Sequence, residues 1–169
     1  MNTAEISHAL RHNPVTAAIF RGVHSADQLT LPLQPLPGAC VVNTEPSDKP
    51  GEHWIALYQE TPDVMETWDS FGMKPSFYSP FFSKMGRLVL QTDQIQHSDS
   101  SACGQYCLFF ILRRASGESY SNIIHLFTQS KASNDAMVTQ YVNHHFDLDT
   151  KVIDSEFLNQ LSKPYTKMK

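Results

Sequence analysis

Residues 98–117 read SDSSACGQYCLFFILRRASG, and this stretch decides the fold. Small polar residues run up to Cys103 and Gly104, and then Cys107, Leu108, Phe110, Ile111 and Leu112 cover most of the surface of a helix expected over Gly104 to Arg114. Such a helix is central and largely buried, with Gly117 as its stop signal. Cys103 then stands at or just before the helix N-terminus, where unpaired amides and the macrodipole favour an anion. That matters because the thiolate is the nucleophile, and an ordinary thiol pKa of about 8.5 leaves little of it at neutral pH. Gly104 lets a substrate backbone approach closely. A cysteine taken alone is usually an inert small hydrophobe, and Cys107, inside the apolar block, and Cys40, inside a strand-like run, are read that way.

Upstream of this helix the pattern is that of a sheet. Ala39 to Asn43 carries a Cys-Val-Val run expected as a buried strand, after a looped stretch with Pro32, Pro35 and Pro37. Thr44 to Glu52 is rich in Pro, Ser, Asp and Gly and reads as a surface loop. Strands follow at Trp54 to Tyr58 and Val64 to Trp68, joined by a Thr61-Pro62-Asp63 turn, with a fourth at Arg87 to Leu90. Asn2 to Phe20 predicts one or two short helices broken at Pro14, and the aromatic-rich stretch Phe71 to Phe82 a short helix begun near Ser79-Pro80. Downstream, helices are expected over Tyr120 to Gln129, over Asp135 to Phe146 with Ser133 or Asn134 as cap, and over Ser155 to Leu161.

The hairpin supplies partners for the thiol. A turn centred on Thr61 sets His53 directly across from Asp69 on one face, with Cβ atoms about 5 Å apart. Asp69 would then accept the Nδ1 proton and turn Nε2 toward the thiol. A slip of one residue would move Asp69 to the other face. An oxyanion hole needs donors as well. The Cys103 backbone amide is one candidate, and the uncharged side-chain amide of Gln96 is another, with Gln94 and Gln91 equally suited by composition.

Length and composition bound the alternatives. The 169 residues, 41% of them hydrophobic and 18% charged, fit a single domain over 1–169 with a real core. A net charge of −4 without a basic cluster gives no support to a nucleic-acid groove built on phosphate neutralisation. Lys163, Lys167 and Lys169 read as a solvated tail. Three cysteines make no disulfide framework and fit a reducing compartment. The longest apolar runs are too short for a bilayer, and Met1 to Arg21 lacks the pattern of a secretory signal. An intracellular protein, not a secreted one, is expected. A metal site is disfavoured, since no two cysteines have close ligand spacing and His144 and His145 point in different directions on a helix.

Gly51-Glu-His53-Trp54, Trp68-Asp69-Ser-Phe71-Gly72, and Gln96 seven residues ahead of Cys103-Gly104 resemble the order and spacing of the adenovirus maturation protease (adenain) family. Ala39 to Thr44 looks like the strand leading to that family's histidine loop, and the likeness extends from about Ala39 to Leu112. The same block is shared with the SUMO-specific proteases, and Asp at Asp69 matches those enzymes where the adenovirus ones often carry Glu. The resemblance implies His53 as general base, Asp69 as its orienter, Gln96 as oxyanion donor and Cys103 as nucleophile. It also implies a preference for small residues, commonly Gly, beside the cleaved bond, with Trp54 and Phe71 as walls of a narrow tunnel and Trp54 beside the imidazole. A peptide or DNA activator is allowed by the resemblance alone, and no cofactor is required by the sequence.

The expectation is therefore an α+β, papain-like cysteine peptidase, with a mixed or antiparallel sheet carrying His53 and Asp69 and packed against helices. The expected substrate is a viral structural precursor, with a location in the host nucleus or cytoplasm and in the virion. Processing of SUMO or another ubiquitin-like protein is the alternative within the enzyme class. The alternative outside it is an inactive binding module that keeps the peptidase fold. A monomer without membrane contact is expected.

Overall fold

The computed structural model describes residues 1–146 and Leu148. The helix expected over Ser155 to Leu161 and the lysine tail lie outside these residues. In chain order the elements are α1 (Thr3–His12), β1 (Phe20–Ser25), β2 (Gly38–Asn43), β3 (Trp54–Thr61), β4 (Val64–Trp68), α2 (Pro75–Tyr78), β5 (Arg87–Leu90), α3 (Cys103–Ala115), α4 (Tyr120–Ile124) and α5 (Lys131–His145). Short 3-10 turns cover Ala26–Gln28 and Pro80–Lys84.

The five strands form one mixed sheet in the order β1-β2-β3-β4-β5. The outer pairs, β1 with β2 and β4 with β5, are parallel, and the two inner pairs are antiparallel. Every residue of β2 is buried because both faces of the sheet are covered. Ala39, Val41, Ala56, Tyr58 and Trp68 face the helical layer of α1, α3 and α5. Cys40, Val42, Ile55, Leu57 and Met65 face a second layer without long helices, filled by Ala26, Leu33, Phe82 and Met85. The period-2 alternation of side chains divides the strands between these two cores. α3 lies at the middle of the first, with Tyr106 through Ile111 all almost fully buried and the ring of Phe110 stacked on Trp68 at 4.9 Å.

Four expectations about elements need correction. β1 was not foreseen, and it forms the sheet edge as a parallel partner of β2. α4 ends at Ile124, five residues short of Gln129; beyond it the Phe127 ring turns into the core against Trp68, Tyr106 and Phe109. α5 begins at Lys131 and is capped by Ser130, whose hydroxyl accepts from Ser133 N, so neither Ser133 nor Asn134 is the cap. The hairpin register is also shifted. Trp68 pairs with Ala56, with an irregularity between Tyr58 and Thr61, which places Asp69 two residues along from a position opposite His53. A slip of two residues preserves the face, and so the pair still meets.

Candidate active site

His53 precedes the first residue of β3, Asp69 follows the last residue of β4, and Cys103 opens α3. His53 and Asp69 are 6% and 3% exposed, and His53 Nε2 lies 2.8 Å from Asp69 Oδ1. The imidazole is thus turned opposite to expectation: Nε2 faces the carboxylate, and Nδ1 is the ring nitrogen left for the thiol. The shifted register brings Asp69 in diagonally rather than from directly opposite. Phe71 and Tyr78 pack on the imidazole, with ring centroids at 4.8 and 5.4 Å.

Asp69 is held on all sides by the loop that follows it. Oδ1 also accepts from Phe71 N at 2.9 Å, while Oδ2 accepts from Met73 N at 3.0 Å and from the Tyr78 hydroxyl at 2.7 Å. This wrap needs Gly72: its φ is +72°, and a Cβ there would stand 2.7 Å from the backbone of Thr92. A carboxylate with this many donors is fixed in orientation.

Charge in the pair is arranged for a thiolate and an imidazolium. Burial alone would depress the imidazole, but hydrogen bonds and charges from Asp69 and Cys103 outweigh it and raise His53 to about 9. Burial likewise opposes ionisation of Cys103, yet the hydrogen bond and charge of His53, with the amides of Trp54 and Gly104, hold this thiol below its ordinary value. Cys40 and Cys107 are buried and burial drives both thiols upward, so they are inert.

Gln96 is 0% exposed, at the end of a loop fastened to the rest of the molecule. Its Nε2 donates to Ser100 O at 2.7 Å, and its Oε1 accepts from the Ser70 hydroxyl at 2.5 Å. The other two glutamines are committed elsewhere: Gln91 Nε2 donates to Asp69 O, and Gln94 Nε2 donates to Gln96 O and Ser98 Oγ. Of the expected substrate walls, Phe71 lies against His53. Trp54 does not pack on the imidazole: its indole N–H donates to Met1 O at 3.1 Å. The space over Gly104, expected to receive a substrate backbone, holds the side chain of Met1, whose Cβ is 2.9 Å from where a Gly104 Cβ would be. Beside Met1 and Trp54 opens a cavity of about 490 Å³, lined mainly by polar residues of the 43–51 loop and the end of β1. Sequence reasoning missed Ser70, Tyr78 and Met1. The position of Ser70, beside Asp69 at the end of a strand, was the one signal that pointed to it.

A crystal structure of the pS273R protease of African swine fever virus superposes with a TM-score of 0.56 over 86% of this chain and 67% of that one, at 20% identity. The fold is that of a papain-like cysteine peptidase. A selenomethionine crystal form of the same protease aligns over 65% of this chain at 25% identity, with a TM-score of 0.45. In sequence the chain is 30% identical over 101 residues to the cysteine protease S273R of African swine fever virus. That alignment takes in 50% of this chain and 36% of the viral protease, so the match spans about a third of the relative's length. No family model matches the chain. Among the described residues no group of three His, Cys, Asp or Glu side chains could hold a metal ion, and no helix is long and apolar enough to cross a membrane.

Proposed function

We propose that this chain is a cysteine endopeptidase that cleaves viral precursor proteins beside small residues. The observation that carries the reading is the buried His53–Asp69 pair, 2.8 Å apart, set against a thiol whose acidity it raises at the first turn of α3. In the cycle, the Cys103 proton passes to His53 Nδ1 and the sulfur attacks the peptide carbonyl carbon. The carbonyl oxygen takes up negative charge, received by an N–H of Gln96 and by the Cys103 amide, which as the first residue of α3 has no intrahelical acceptor. Collapse of this intermediate breaks the C–N bond, and the imidazolium protonates the departing amine. A water molecule, deprotonated by His53, then hydrolyses the thioester and returns the thiol.

The preference for small residues rests on the resemblance of the His53, Asp69 to Gly72 and Gln96 to Gly104 block to the adenovirus and SUMO-specific enzymes, with Phe71, against the imidazole, as the expected wall. The kinship with the adenovirus enzymes is proposed on the same block of residues, His53-Trp54, Asp69 to Gly72, and Gln96 to Gly104. The test uses a library of fluorogenic Gly-Gly-type peptides, with SUMO and ubiquitin precursors as a second set of substrates. The wild-type chain is expected to cleave peptides and Cys103→Ala to leave them intact. Equal signal from both proteins overturns the reading, and cleavage confined to the ubiquitin-like precursors moves the substrate to that class.

A further inference from the structure

We infer that Ser70 is a positioning residue that sets the Gln96 amide in its working orientation, an inference that rests on the peptidase reading above. Ser70 meets the Gln96 loop at three points. Its carbonyl accepts from Ile95 N at 2.9 Å and from Gln96 N at 3.1 Å, and its hydroxyl donates to Gln96 Oε1 at 2.5 Å. Ser70 itself is 1% exposed, so no water competes for these bonds.

The orientation of the amide follows from the chemistry of its neighbours. Ser100 O is a carbonyl oxygen and can only accept, so the Gln96 atom 2.7 Å from it is the nitrogen. The oxygen then points at Ser70, whose hydroxyl serves as donor. These two bonds fix the amide plane at both ends. The amide nitrogen carries two hydrogens. One goes to Ser100, and among the described residues the other has no second acceptor, leaving a donor beside the strand of chain that leads to Cys103.

Without the Ser70 hydroxyl, Oε1 is a buried acceptor without a partner, a state that is avoided by rotation of the side chain. Rotation carries the N–H away from the position where charge develops. The loss falls on the transition state rather than on substrate binding or on the thiolate. Asp69 and Ser70 are consecutive: the first orients the group that makes the nucleophile, and the second orients the group that receives the charge.

The experiment compares wild-type chain, Ser70→Ala, Gln96→Ala and the double variant by three readouts. These are steady-state cleavage of a Gly-Gly-type fluorogenic peptide, inhibition by the aldehyde of the same peptide, and alkylation of Cys103 by iodoacetamide. Aldehyde addition builds an oxyanion, whereas alkylation does not. Ser70→Ala is expected to lower kcat by roughly 10- to 100-fold with KM unchanged, since loss of one oxyanion donor costs about 100- to 1000-fold and displacement costs less. The aldehyde weakens by a similar factor, alkylation stays within about twofold, and the double variant is no slower than Gln96→Ala. Wild-type cleavage by Ser70→Ala, or a parallel fall in alkylation, overturns the proposal. If Ser70→Ala does not fold, Ser70→Cys, whose thiol is a much weaker donor, is expected to show a smaller fall in kcat and in aldehyde affinity with alkylation of Cys103 unchanged, and cleavage equal to wild type overturns the proposal. If wild type and Cys103→Ala cleave alike, it is the peptidase reading that fails.

Discussion

At the scale of single residues, His53 and Cys103 are displaced in opposite directions, the imidazole up to about 9 and the thiol below its ordinary value. Between the two, thiolate and imidazolium coexist. Alkylation by iodoacetamide is therefore expected at Cys103 alone, at a pH where free cysteine is still mostly protonated, as read by mass spectrometry of the three thiols. Peptide cleavage falls at low pH as the thiolate is protonated, and it falls again above about pH 9 as the imidazolium loses the proton it gives the leaving amine. Asp69→Asn removes the charge that holds the imidazolium. The alkaline limb of kcat/KM should move down toward the ordinary histidine value, with a loss of about 100-fold at neutral pH. Spacing pointed to His53, Asp69 and Cys103 because each stands beside the end of an element that its local sequence declares, whereas Gln96, within a loop, was set apart from Gln91 and Gln94 only by the family resemblance. The same reasoning misjudged which ring nitrogen meets Asp69, because spacing along a hairpin fixes the face of a side chain but not the rotation of its ring, and it missed the two-residue register shift near the turn. Tyr78 escaped because its hydroxyl reaches Asp69 only after the chain has reversed at Gly72.

At the scale of elements, the N-terminal end of α5 fastens the loop that carries Gln96. Asp135 accepts from the buried Tyr106 hydroxyl at 2.8 Å and from His97 N, and Asn134 Nδ2 donates to Ile95 O at 3.0 Å. Asp135→Ala should cost about 1–3 kcal/mol of stability through the lost bond to Tyr106, whose hydroxyl keeps only the longer contact to Ile95 O at 3.1 Å, measured by chemical unfolding. It should also speed amide exchange at His97 and lower kcat several-fold. The strands β2 to β5 and the helix α3 were legible because apolar runs and turn residues mark them in the sequence. β1 was not: its residues FRGVHS show no alternation, Gly22 interrupts them, and the strand owes its existence to pairing with β2 some eighteen residues away. α4 was overextended because Leu126 and Phe127 continue an apolar pattern that serves core packing outside the helix.

For the molecule as a whole, stability resides in the layer between sheet and helices, and the Trp68–Phe110 stack is at its centre. Phe110→Ala should cost about 3–5 kcal/mol and lower the melting temperature by about 10 °C, as read by calorimetry. The layer also sets the geometry of the candidate site, since the helix that begins with Cys103 lies directly on the strand that follows His53. The α+β class was readable from the sequence, whereas the non-helical second layer was not, because Ala26, Leu33, Phe82 and Met85 come from segments with no periodic pattern. Asp69 and Ser70 hang from the same strand end, joined by one peptide bond. Fraying of that end would disarm attack and charge uptake in a single event, so heating should convert working molecules to silent ones with few slow survivors between.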